Sequence, residues 1–70
     1  MNYILGITVI SEDHIILRLD PRKKEGVSKI WGYLKRVFKE DALLRANRNG
    51  VQIEIRRHLA EVERVLRGLF

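Results

Sequence analysis

Two stretches near the start of the chain place an apolar residue at every second position. Tyr3, Leu5, Ile7 and Val9 mark the first, and Ile15, Leu17 and Leu19 the second. A period of two puts alternate side chains on one face of a strand. The connection between them sets the pairing. A three-residue loop, Ser11-Glu12-Asp13, pairs Ile10 with His14 and Val9 with Ile15, so that all the alternating apolar residues share one face. A two-residue loop would divide them between the two faces, so side-chain parity selects an odd loop. Asp20-Pro21 ends the second strand, because proline cannot donate to the ladder.

The period then changes. After a charged connector, Arg22 to Glu25, the residues Val27, Ile30, Trp31, Leu34, Val37 and Phe38 fall on one stripe about 120° wide, which predicts a helix from about Val27 to Glu40. Ser28 or the turn before it is the expected cap. Asp41 to Asn47 has two readings. A continued helix places Leu43 on the polar side. A hairpin turning at Asn49-Gly50 pairs Ala46 with Ile53 and Leu44 with Ile55, and gathers Leu44, Ala46, Val51, Ile53 and Ile55 on one face. Asn-Gly tolerates the positive φ angles of a tight turn, which favours the hairpin. From about His58 to Phe70 the helical period returns, with Leu59, Val62, Leu66, Leu69 and Phe70 on the apolar face and Glu63 and Arg67 spaced as an i, i+4 pair. The order is ββαββα, an α+β class chain. Its natural packing is a two-layer domain over residues 1–70, an antiparallel sheet with two helices on one face.

Composition narrows the picture. A core built from 70 residues barely offsets the entropy of ordering them, and no cysteine is present to add a crosslink or a thiolate metal site. Regular packing or a partner subunit remains as the source of stability. No apolar run approaches the ~20 residues that span a bilayer, and the apolar start lacks the basic leader of a signal peptide, so a cytoplasmic location without membrane contact is expected. Fourteen basic residues outweigh nine acidic ones. Ile, Leu, Val, Arg, Lys and Glu dominate, as in archaeal-like hyperthermophile proteins, where dense charge also serves stability.

Candidate chemistry is sparse. A nucleophile–base pair would need Ser11 or Ser28 beside His14 or His58, and His14 with Glu12 and Asp13 imitates a metal cluster only as consecutive turn residues. No catalytic residue, cofactor or metal ligand is expected. Arg22, Lys23 and Lys24 precede the first helix, whose free N–H groups attract anions. With Lys29 and Arg36 they form the candidate nucleic-acid contact. Arg56, Arg57, Arg64 and Arg67 extend the basic character, diluted by Glu54, Glu61 and Glu63. Trp31 belongs to the apolar stripe and Tyr33 is the freer aromatic for base stacking. Simple alternation points Ile4, Gly6, Thr8, Ile10, His14, Ile16 and Arg18 away from the helices. An apolar patch there marks an association surface, with Ile4, Ile10, Ile16 and Arg18 as the candidate partner-binding residues. Glu63, Leu66, Leu69 and Phe70 also have the spacing of a sliding-clamp-binding peptide, with glutamate in place of glutamine.

From about Val27 onward the chain runs helix, hairpin, helix, preceded by the strand His14 to Leu19. The hairpin's return strand and the last helix carry Val51-Gln52-Ile53-Glu54-Ile55, then Leu59-Ala60, Val62 and Leu66. This layout resembles the small dimerisation subunit of the KEOPS complex, which installs threonylcarbamoyl on adenosine in tRNA. That family continues its last helix with a small polar pair and an aromatic residue, where this chain has Arg67-Gly68-Leu69. This chain also has an additional N-terminal strand. It looks like a diverged paralogue or a partner of that subunit. The resemblance implies a non-catalytic accessory role, bridging or capping subunits, with contact to tRNA. The expected function is therefore binding a protein partner as a homo- or heterodimer. The alternatives are a basic nucleic-acid-binding module and, less favoured, a sliding-clamp-binding regulator.

Overall fold

The structure is a computed structural model that describes residues 3–48 and 50–69. Four strands and two helices follow in the order β1 (Ile4–Ser11), β2 (His14–Leu19), α1 (Lys24–Phe38), β3 (Ala42–Asn47), β4 (Gly50–Ile55) and α2 (Leu59–Leu69). The strands form one antiparallel sheet in the order β1-β2-β4-β3, with each hairpin contributing one central and one outer strand. This is the expected two-layer α+β arrangement.

The central strands deliver the apolar face that the alternation predicts. Ile15, Leu17 and Leu19 of β2 stand opposite Ile55, Ile53 and Val51 of β4. Five of these six side chains are fully buried, with Val51 half-buried at the rim. Ile30, Leu34 and Phe38 from α1 and Val62 and Leu66 from α2 close over them in one continuous core. Burying an aliphatic side chain of this size is worth roughly 1.5–3 kcal/mol, so the β2–β4 pair and its helical cover carry most of the stability.

The second hairpin settles the ambiguous segment. Residues 42–47 are strand, not a continued helix, and a short 3-10 turn (Lys39–Asp41) separates them from α1. Lys39 adopts a φ of 55°, turning the chain while its N–H still bonds the Lys35 carbonyl. The pairing differs from the sequence expectation by two residues. Ala46 stands opposite Val51, Leu44 opposite Ile53 and Asn47 opposite Gly50. Gly50 is a strand residue with a φ of 133°, a backbone region that side chains rarely allow. An even shift leaves every side chain on its predicted face. Asn49 of the predicted turn and Phe70 of the predicted apolar face lie outside the described residues.

The helix starts also differ from expectation. α1 begins at Lys24, ahead of Val27, so Ser28 lies inside the helix. Lys23 is the N-cap and makes no side-chain capping bond. The turn before it is held by Asp20, which accepts the Arg22 N–H through its carboxylate and the Lys23 N–H through its carbonyl. His58 caps α2: its Nδ1 accepts the Ala60 N–H at 3.1 Å and its carbonyl the Val62 N–H.

Strand β1 departs most from simple alternation. Its pairing with β2 shifts by one residue between Ile4 and Gly6 and again between Val9 and Ser11, so Leu5 and Ile10 are bulged. The predicted three-residue loop becomes a two-residue turn plus the bulge at Ile10. Val9 still meets Ile15, but Ser11, not Ile10, meets His14. A bulge adds one unpaired residue and reverses the parity beyond it. Ile4 is thereby brought opposite Leu19, on the helix side, where it packs against the core.

Candidate functional site

These bulges redistribute the expected partner-binding residues. Ile4 lies beside α2, in a cleft shared with Ile7, Glu63, Leu66 and Arg67. Ile10 is 54% exposed in its bulge, while Ile16 and Arg18 point to the open face of the sheet. The four do not form one patch: Ile4 leaves the far face, which keeps Ile16 and Arg18 as expected. The exposed apolar surface follows β1 itself. Leu5, Ile7, Val9 and Ile10 are 57, 42, 50 and 54% exposed. β1 is an outer strand, so one row of its backbone N–H and C=O groups has no neighbour among the described strands. No residue from Tyr3 to Ser11 carries a charge.

The open face is mixed, with polar residues in the majority. His14, Ile16 and Arg18 from β2, Gln52 and Glu54 from β4, and Leu43 and Arg45 from β3 share it with Gly6 and Thr8 of β1. At its centre His14 Nε2 donates to Glu54 Oε2 at 2.6 Å. Arg45 approaches the same carboxylate at 3.5 Å and Arg56 at 3.9 Å. The bond from His14, aided by the two arginines, holds the Glu54 carboxyl below its ordinary range against the opposing effect of desolvation. Arg18 makes no ion pair among the described residues. Its guanidinium lies over Gly6, in the space where a Cβ would stand. Ser11, paired with His14 in the sheet, donates its Oγ–H to Asp13 at 3.1 Å.

Of the residues expected to contact nucleic acid, Arg22, Lys23 and Lys24 come together with Tyr3, Glu25 and Gly26 around an open cleft of about 760 Å³. Arg22 is engaged by Asp20 through Nε at 3.1 Å and Nη2 at 3.2 Å. This pairing lowers the Asp20 pKa and raises that of Arg22. Lys29 and Arg36 are exposed on α1 and do not line the cleft. Tyr33, expected to be the freer aromatic, packs against the core with its hydroxyl near Gly68 of α2. Trp31 is half-buried at the core's edge, with the Lys35 ammonium 5.6 Å from its ring centre.

Arg57 joins several elements. Its Nε donates to Asp41 at 2.7 Å, its Nη1 to Glu61 at 3.0 Å, and its guanidinium sits 5.3 Å from the centre of the Phe38 ring. The bond to Asp41 is the main cause of its raised pKa. The basic surface imagined from Arg56, Arg57, Arg64 and Arg67 therefore loses Arg57 to a structural role. Leu66 of the clamp-like spacing is a core residue, and Leu69 packs against the core.

Among the described residues no group of three or more His, Asp or Glu side chains is placed to hold a metal ion, and no helix is long and apolar enough to cross a membrane. The open sheet face and the β1 edge are the two surfaces with distinct chemistry, one arginine-rich and the other uncharged and apolar. Comparison with known protein families, with curated proteins and with solved structures finds no significant match.

Proposed function

We propose that this chain is a non-catalytic accessory subunit of the cytoplasm, which joins a protein partner along β1 in a homo- or heterodimer. The observation that carries this reading is the row Leu5, Ile7, Val9 and Ile10, exposed on an uncharged outer strand. Outer strands that stay single are usually blunted by lysine, proline, an inward charge or bulges; β1 has no charge and no proline, and its two bulges leave Gly6 to Val9 regularly paired between them. Strand addition would satisfy its free backbone groups while covering its apolar side chains. A chain of this size also gains more from a partner than a larger domain does. The resemblance of residues 51–66 to the KEOPS dimerisation subunit supports a tRNA-modifying assembly as the setting.

The geometry restricts a homotypic pair. Two copies joined antiparallel through β1 keep their helices on one side only if residues of equal parity face each other. Centring the two-fold on Thr8 sets Ile7 of each copy against Val9 of the other.

Sedimentation equilibrium over about a hundredfold range of concentration tests the reading. The chain should reach the mass of a dimer alone, or form a heterodimer with a purified subunit of a threonylcarbamoylating complex. The double variant Ile7→Lys, Val9→Lys should stay monomeric with an unchanged circular dichroism spectrum. A wild type that is monomeric throughout and forms no complex, or a double variant as associated as the wild type, overturns the proposal.

A further inference from the structure

We propose that the open face of the sheet binds the phosphate backbone of a single-stranded nucleic acid, with Arg18, Arg45 and Arg56 as the phosphate contacts. This site is separate from the β1 edge and does not depend on what docks there. The strand pairing places Gly6, Arg18, Gln52 and Arg45 in one row across all four strands. Arg18 and Arg45 stand two strands apart, about 10 Å at the usual interstrand spacing. Arg56 follows β4 beside them.

Cations outnumber carboxylates on this face, where Arg18, Arg45 and Arg56 stand around the single Glu54. Glu54 is the only acidic residue in the four strands, and its shortest bond is to His14. The arginines reach it only at 3.5 and 3.9 Å, and their side chains remain 60 and 65% exposed. Among the described residues Arg18 has no carboxylate partner, and it is held low across β1 because residue 6 is glycine. The cleft before α1, where sequence pattern placed the basic contact, is weaker by the same criterion. Asp20 neutralises Arg22 and Glu25 lies among the lysines, leaving Lys23 and Lys24.

The kind of ligand follows from shape and residue type. No lysine occurs in any strand. Arginine is the cation that forks onto phosphate and also lies flat on a base. Four strands span about 15 Å, and their open face carries no helix of the kind that enters the groove of a duplex. Single strands suit such platforms, because their bases splay out against side chains while phosphates meet cations. Ile16 and Leu43 provide apolar area between the arginines, and the Gln52 amide offers both a donor and acceptors.

Fluorescence anisotropy of labelled oligouridylate and oligothymidylate, titrated at several salt concentrations, tests this. Three phosphates at about −0.7 each give a log–log salt slope near −2. Arg18→Ala, Arg45→Ala and Arg56→Ala should each weaken binding several-fold and reduce the slope by about 0.7, and the triple variant should lose binding. The quadruple variant Lys23→Ala, Lys24→Ala, Lys29→Ala, Arg36→Ala should keep the wild-type slope. The Ile7→Lys, Val9→Lys variant should still bind, which separates this site from the docking edge. Circular dichroism confirms the fold of each. The proposal is overturned by no binding at low salt, by loss in the helix-layer variant with retention in the sheet-face triple variant, or by polyglutamate binding as tightly as the oligonucleotide, which would make the face an acidic-protein site.

Discussion

The two ββα halves occupy equivalent places in the fold, yet their outer strands differ. β2 and β4 are near copies in pattern, buried on one face and paired residue for residue. β3 pairs with β4 without a register break, buries Ala42 and carries Arg45. β1 has eight residues, two bulges, no charge and four exposed apolar side chains. The central strands answer to the molecule's own core. The outer strands show how much each half leaves for something else, and only β1 leaves an uncharged apolar row.

The largest expected effect tests the equality of the central strands. Leu17→Ala and Ile53→Ala each remove a fully buried side chain that faces the other, and each should cost about 2–5 kcal/mol in urea unfolding. Val9→Ala on β1 should cost below ~1 kcal/mol in the dilute monomer, because half of that side chain is already in water. A Val9→Ala cost equal to that of Leu17→Ala would erase the distinction between centre and edge.

A middle-sized effect separates two glycines. Gly50→Ala forces a side chain to a φ of 133° and should cost about 1–3 kcal/mol. At Gly6 only the flexible end of Arg18 stands in the way. Gly6→Ala should leave the thermal midpoint nearly unchanged while weakening oligonucleotide binding. A large stability loss at Gly6 would make it a structural residue of β1.

The smallest effect is acid sensitivity, with one depressed carboxyl in each half. Asp20, bonded by Arg22, and Glu54, bonded by His14, both titrate below their ordinary range. A carboxyl whose folded pKa lies below its unfolded value contributes stability above the unfolded value and loses it as pH falls through the folded one. Stability should therefore decline from about pH 5 downward. Glu54→Gln and Asp20→Asn should each make that decline shallower in urea midpoints measured against pH. An unchanged acid limb in both variants would remove these pairs from the account.

Alternation of Ile15, Leu17 and Leu19 and of Val51, Ile53 and Ile55 was enough to read the central strands and their buried face. The helical stripe located α1 and α2 because 3.6-residue spacing is hard to produce otherwise. The bulges at Leu5 and Ile10 left no such trace, since each inserts one residue without a required glycine or proline. That unread device moved Ile4 to the helix side and took it from the expected apolar far face, which keeps Ile16. The Asn-Gly signal located the second turn but not its register, because Gly50 pairs within the strand. Arg18 was legible as a far-face residue. Its setting with Arg45 and Arg56 was not, because it depends on β4 lying between β2 and β3. Arg57 was read as part of a basic surface, and the cap at His58 was not foreseen, since nothing local shows that one reaches Asp41 and the other caps a helix.

Arg57 fastens the turn before β3, the first turn of α2 and the last turn of α1 with one guanidinium. A half that tried to open by itself would have to release this fastening and unzip β2 from β4 at the same moment. The internal symmetry is thus one of layout without independence: neither half is a spare part, and the chain is expected to melt in a single step.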